Sequence, residues 1–401
     1  MNKKFGGILL VAGTCIGSGM IALPMVLAKL GLIPSLLLML ATWFVMYYTS
    51  LINLELNLQA NQGLSLAQLG RYFSGKTAEI VGLVSLKLLS YSLLAVFIYG
   101  GSSIIKEFLS TQLGKEFSFY QVAYCYTLVA ISLLLLPLRI IDYLNRILCL
   151  GLLAVIALFL AGLVLSVQWT HLPLFGPSTH DFSTWTAVIP IVFTSFGFQV
   201  IFHTLTNYCH KNPKMLKQVF FWGSLIPAAV YLLWTSCILG VVYHKAPEFY
   251  SRMIHGHTEV GELIQVLSGM TSWHCLQLFV WGISSLAIIT SVLGVGLGLV
   301  DSLTNHLEVK VTHPHMRKVY AVLLTLLPAY LAVIYVPNAF ITVLGFVGMI
   351  LAVLAIILPI YLFWKVKSKT LYFEELRTQW LVKCSVIAGL AVIVCEIFNM
   401  L

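Results

Sequence analysis

VAGTCIGSGMIALP, residues 11–24, lies in the middle of the first long apolar run of this chain. Gly13, Gly17, Ser18 and Gly19 crowd its first half. Each glycine in a helix interior costs about 1 kcal/mol relative to alanine. Backbone released from a helical ladder cannot face lipid, so it must face protein or a water-filled cavity. Two readings follow. One is a helix broken at this point. The other is small-residue helix packing of the GxxxG kind. In the broken form, the amides of Gly17, Ser18 and Gly19 start a second half-helix, and a helix N-terminus attracts an anion such as a carboxylate. The carbonyls of Gly13, Thr14 and Cys15 end the first half, where an ammonium or a metal cation is welcome. One break then offers complementary ends to a zwitterion.

The surroundings make the solvent of this stretch lipid. Of 401 residues, 60% are hydrophobic and only 9% charged, whereas a soluble domain carries roughly 25% charged residues. Apolar runs near the 20 residues needed to cross a bilayer recur along the chain. The expected spans are 5–29, 32–57, 80–105, 119–138, 144–168, 184–208, 218–243, 274–304, 319–336, 338–364 and 380–400. The fold class is an all-α integral membrane protein of about eleven transmembrane helices, with residues 1–401 forming one domain. Tight turns are expected at Lys29–Pro34 and Pro337–Asn338. Lys3 and Lys4 precede the first span as they would a signal peptide, but no small-residue cleavage site follows, and a retained helix is expected.

With the N-terminus in the cytoplasm, 17 Lys and Arg fall inside and five outside, with Lys87 within the third span. That bias fits the positive-inside rule and an odd number of spans, and puts the C-terminus outside. The net charge of +9 is therefore topogenic and does not argue for a nucleic-acid partner. The lipid bilayer is the expected partner. The sequence leaves the oligomeric state open and is compatible with a monomer. Eight cysteines, none in a CxxC pair, suggest neither disulfides nor a zinc site. The outer loop 244–273 holds His244, His255 and His257, and reads as a solvated loop with a short amphipathic helix rather than a metal site.

Five spans after the first comes IPIVFTSFGFQ, residues 189–199. Pro190 removes a backbone donor and Gly197 weakens the helix. Thr194, Ser195, Phe193 and Phe196 lie between them. Carriers with inverted repeats place a second broken helix at the corresponding position of the other half, so the pair strengthens the broken-helix reading. Few ionisable groups lie at membrane depth. Glu55 and Glu396 are expected at interfaces, Lys87 near the inner end of its span, and Asp301 beside a basic loop residue.

No nucleotide loop, paired carboxylates or HExxH is present, and GVGLG at 294–298 sits in an apolar span, so an enzyme is not expected. A channel would show acidic rings or repeated filter sequences. The paired breaks favour a transporter.

VAGTCIGSGMIALP (11–24), IPIVFTSFGF (189–198) and GVGLGLVDSL (294–303) together resemble the tyrosine and tryptophan permeases of bacteria, tyrosine-specific members most of all, over nearly the whole chain. That resemblance implies an inner-membrane symporter of the amino acid–polyamine–organocation superfamily. It implies a LeuT-like five-plus-five inverted repeat, with a first repeat at 5–168, a second at 184–364 and an extra helix at 380–400. It also implies import of tyrosine, or tryptophan as the alternative, coupled to protons and with no cofactor. The substrate carboxylate would meet Gly17, Ser18 and Gly19. The ammonium would meet carbonyls of Thr14, Cys15, Phe193 and Phe196, and Thr194, Ser195 and Gln199 would complete the sixth-span wall. Tyr91, Phe97 and Tyr99 of the third span would flank the side chain. Relatives often carry His where this chain has Gln199, which puts a proton role there in doubt; His203, one turn on, is a substitute candidate or simply a satisfied helical His. Ala287, Thr290 and Ser291 match the spacing at which sodium symporters of this superfold bind Na⁺. Back-bonding of the two hydroxyls to their own helix is the alternative, so the residues leave H⁺ and Na⁺ both open.

Overall fold

The computed structural model describes residues 3–167, 169–256, 258–269, 274–307, 313–336, 340–366 and 370–400. Pro337–Asn338, His257, Lys310, Lys367 and Lys369 lie outside the described residues, as do the side chains of Ser18 and His203. Among the described residues the fold is helical throughout, without strands.

The first apolar run forms α1 (Lys3–Cys15) and α2 (Ser18–Leu27), bent by 48° where they meet. Next come α3 (Leu32–Gln59), a short α4 (Leu66–Ser74), the long α5 (Lys76–Leu113), α6 (Phe119–Leu135) and α7 (Leu138–Ser166). Ser65 caps α4 with a reciprocal Ser65–Gln68 box, which fixes its start. The 189–199 stretch is interrupted too. Helix α8 (Phe182–Ser195) ends in tight turns, Phe196 N–H to Phe193 O and Gly197 N–H to Thr194 O, and the chain resumes through a 3₁₀ turn (Gln199–Ile201) into α9 (Phe202–Tyr208).

Helix α10 (Pro213–Lys245) starts on an Asn212 cap with Pro213 at its first position. The 244–273 segment then forms α11 (Pro247–His255) and α12 (Val260–Gly269). A solvated loop with one short helix was the expectation here. Instead there are two helices, and Phe249, Met253, Val260, Leu263, Ile264 and Leu267 are buried against the bundle. The chain continues through α13 (His274–Leu307), α14 (Pro314–Tyr335), α15 (Phe340–Ala352), a π-turn at 353–357, α16 (Leu358–Phe363) and α17 (Gln379–Met400).

Among the described residues, seven helices are long and apolar enough to cross a membrane, and the bent α1–α2 pair makes an eighth. Three shorter apolar helices, Phe119–Leu135, Leu150–Val164 and Phe182–Ser195, stand beside them. Outward-facing Leu37, Val129, Leu158, Ile387 and Phe398 are exposed, as suits an apolar solvent.

Glycines set the closest helix approaches. A Cβ on Gly7 would fall 2.9 Å from Val219, and one on Gly223 would fall 2.5 Å from Val11, so α1 and α10 lie in near-backbone contact. Likewise a Cβ on Gly348 of α15 would fall 2.2 Å from the Pro190 carbonyl of α8.

Two acids expected at interfaces are buried within the protein. Glu55 is fully buried: it accepts from the amides of Tyr372 and Phe373, at 3.0 and 3.2 Å, and from Gln59 at 2.7 Å. Glu396 on α17 is buried against Gly345 of α15, where its carboxyl occupies the space of a missing side chain. In both cases a carboxylate is covered by a segment distant in sequence.

Candidate functional site

The two interruptions meet. Helix α2 follows Gly17, whose neighbours are Ser291 of α13 and Phe97 of α5: a Cβ there would lie 2.6 Å from Ser291 Oγ and 3.9 Å from the Phe97 ring. At the second residue of α2, a Cβ on Gly19 would lie 2.6 Å from both Ser195 Cβ and Ser195 Oγ and 3.0 Å from Ser195 Cα, at the end of α8. The first break therefore touches the end of α8, a serine of α13 and an aromatic of α5 at closely spaced points. Both readings of the 13–19 glycines hold here, since the helix is broken and the same glycines admit close neighbours.

A break leaves carbonyls without their helical amides. The Cys15 carbonyl would, in a continuous helix, accept from the amide four residues on. Here the Tyr231 hydroxyl of α10 donates to it at 2.6 Å. Tyr231 is fully buried and stands edge-on to Phe196, with ring centroids 5.5 Å apart. One tyrosine thus ties the end of α1 to the end of α8. Sequence reading missed it. The available signal was a tyrosine in mid-span, in LIPAAVYLLW (225–234), because a buried tyrosine hydroxyl needs a partner.

The other expected residues separate into groups. Phe193 and Phe196 are buried at the α8 end. Thr194 is turned toward α15, its hydroxyl 2.9 Å from both the Pro190 and Leu344 carbonyls. Ser195 Oγ donates to Ile191 O at 3.1 Å, and Thr14 Oγ1 donates to Leu10 O at 2.7 Å. Gln199 directs its Nε2 to Met46 Sδ at 3.5 Å. Tyr99 packs between Phe119 and Phe340. Tyr91 is directed away from the break, its hydroxyl donating to Leu324 O of α14 at 3.0 Å.

At the candidate ion position, Thr290 Oγ1 donates to Leu286 O and Ala287 O at 2.9 and 3.1 Å, and Ser291 Oγ donates to Ala287 O at 2.8 Å. The three oxygens are gathered, and their hydrogen bonds close within the helix itself. Among the described residues no cluster of His, Cys, Asp and Glu is arranged to hold a metal.

Two interrupted helices with their broken ends in contact inside an apolar bundle suit a membrane carrier. The chain matches the tryptophan/tyrosine permease family over residues 1–401. It is 32% identical to tyrosine-specific transport system 2 of Haemophilus influenzae, over 91% of this chain and 88% of that protein. It is 30% identical to the tryptophan-specific transport protein of Pseudomonas aeruginosa, over 88% and 84%. It is also 30% identical to glutamine transporter 2 of Aliivibrio fischeri, over 89% and 88%. The chain belongs to the tryptophan/tyrosine permease family. It is accordingly a multi-pass membrane transporter of the amino-acid permease kind and not an enzyme.

Proposed function

We propose that this chain is a secondary active symporter of the inner membrane that imports an aromatic L-amino acid, tyrosine before tryptophan, with protons as the coupling ion. The observation that carries the reading is the contact between the two breaks, Gly19 on one side and Ser195 on the other, with Tyr231 bridging the Cys15 carbonyl and the Phe196 ring. The amides at the start of α2 suit the substrate carboxylate. The carbonyls at the end of α1 and of α8 suit its ammonium. Phe97, Phe193 and Phe196 supply apolar surface for a ring. Two of the relatives are named for tyrosine and tryptophan transport, and both substrates fit such a wall. The relative named for glutamine makes the aromatic preference the part most in need of measurement.

The architecture we assign has eleven spans. The seven long helices, the bent pair and the three shorter apolar helices supply them. Helices α1 to α7 form one repeat and α8 to α16 its inverted counterpart, with the breaks at corresponding places and α17 as the extra helix. The N-terminus lies in the cytoplasm and the C-terminus outside, as the lysine and arginine bias requires. Rocking of the broken helices and their partners against the rest would expose the substrate alternately to each side.

Sodium coupling is the second reading, favoured by the gathered oxygens of Ala287, Thr290 and Ser291. Their closed hydrogen bonds lead us to prefer protons. Labelled tyrosine uptake into proteoliposomes, under a pH gradient alone and a Na⁺ gradient alone, separates the two. Failure of tyrosine, tryptophan and phenylalanine to compete for uptake would reject the aromatic assignment. A channel would show neither saturation nor counterflow.

A further inference from the structure

Beneath the paired breaks lies a second polar space. It is a cavity of about 40 Å³ between α3, α5, α9 and the loop leading into α4, lined among others by Asn53, Asn57, Leu89, Gln199 and Phe202. Asn53 is 2% exposed, and its Nδ2 has no hydrogen-bond partner; the buried Oε1 of Gln199 has none either. The two residues thus line the same cavity, and each holds an unpaired buried polar atom. A buried polar group left without a partner carries its full desolvation cost, and native interiors rarely tolerate it. Asn57 does not fill the need, because both ends of its amide are engaged. Its Nδ2 donates to Asn53 O at 3.1 Å, and its Oδ1 accepts from Leu64 N–H at 2.8 Å. That clamp holds the 60–65 loop as the cavity floor.

We propose that Asn53 and Gln199 form a hydrated way-station on the inner route of the transported amino acid. The volume suits about three waters at 10–15 Å³ each. One donor and one acceptor, with no carboxylate or imidazole among the described lining residues, suit water and not a cation. The same pair is the complement of an α-amino acid head group: Gln199 Oε1 accepts from the ammonium and Asn53 Nδ2 donates to the carboxylate. Gln199 belongs to the sixth-span break itself, so the site lies one step below the substrate position. The cavity as it stands is too small for a head group, so release requires the Asn57–Leu64 clamp to open. This inference rests on the transport reading above.

The test has two arms. In hydroxyl-radical footprinting of the purified protein, ordered water generates the radical in place. Phe202 should then label at least five-fold faster than Phe340, which is similarly buried and does not line this cavity. Asn53→Leu should abolish that ratio and lower tyrosine uptake in proteoliposomes ten-fold or more, and Asn53→Ser should recover at least three-fold of the loss. Equal labelling of Phe202 and Phe340 in the wild type would overturn the proposal, as would wild-type uptake by Asn53→Leu. If Asn53→Leu does not insert, the wild-type labelling ratio decides. If the wild type itself takes up no tyrosine, the substrate reading fails, and the labelling ratio still decides whether the cavity is hydrated.

Discussion

Replacing Gly19 with alanine tests the contact on which the site rests. The new Cβ would sit 2.6 Å from Ser195 Cβ and Oγ and 3.0 Å from Ser195 Cα, where ordinary contact begins at 3.4 Å. A rotamer change at Ser195 clears the hydroxyl only. The two broken ends must therefore separate by about 0.4 Å at the backbone and about 0.8 Å at Cβ. Overpacking of this kind costs about 1–3 kcal/mol, or roughly 5- to 150-fold in an equilibrium constant. Because it moves α2 against α8, the cost should fall on substrate affinity. Gly17→Ala is the internal control. Its Cβ would meet Ser291 Oγ at 2.6 Å, but the next atom is 3.6 Å away and the hydroxyl can rotate. We expect Gly19→Ala to weaken equilibrium binding of labelled tyrosine by ten-fold or more and Gly17→Ala by less than about five-fold. Ser195→Gly in the Gly19→Ala background should recover much of the loss. Wild-type affinity in Gly19→Ala, with the protein correctly inserted, would refute the reasoning.

Three further outcomes follow from the geometry. Tyr231→Phe keeps the edge-on contact with Phe196 but leaves the Cys15 carbonyl unpaired, a loss of about 1–3 kcal/mol; thermal unfolding of purified protein should show a lower midpoint, and uptake should fall. Thr290→Val and Ser291→Ala should retain proton-driven uptake, which a sodium-coupled protein would lose; uptake under imposed gradients reads this directly. Lys217 on α10 is paired with Glu375 in the segment before α17, and that hydrogen bond holds the Glu375 carboxyl below the usual carboxylate range. A lowered folded value means the pair stabilises the protein above the ordinary value of about 4.5, and the contribution is lost as pH falls below it. Unfolding midpoints measured at pH 7 and pH 3.5 should differ less in Lys217→Met than in the wild type.

The helices were legible because lipid as solvent demands long apolar runs, and nothing else in the composition competes with that demand. The break at Gly13–Gly19 was legible because glycine and serine are costly in such a run. Its partner was legible from the Pro190–Gly197 composition, although α8 runs on through Pro190 and the interruption begins only at Phe196 and Gly197. What stayed hidden depends on contacts far apart in the chain. The partner of the Cys15 carbonyl is 216 residues away, and the amide that covers Glu55 at Tyr372 is 317 residues away. Hydrophobic pattern holds no information about such pairs, so Tyr231 and the backbone cover over Glu55 were overlooked. Tyr91 shows the converse: its place on α5 was expected, but the direction of its side chain, toward Leu324, depends on how α5 rotates against α14. The outer helices α11 and α12 were read as largely solvated because their sequence is mixed, and a mixed sequence suits a helix buried on one face equally well.

The central claim is that an aromatic amino acid, held where the two broken helices meet, is carried inward with protons. Accumulation of labelled tyrosine in proteoliposomes tests it most directly. The account predicts uptake above the external concentration under an outside-acid pH gradient without Na⁺, saturable and inhibited by tryptophan. Accumulation driven only by a Na⁺ gradient, or no tyrosine accumulation under either gradient by an inserted protein, would contradict it.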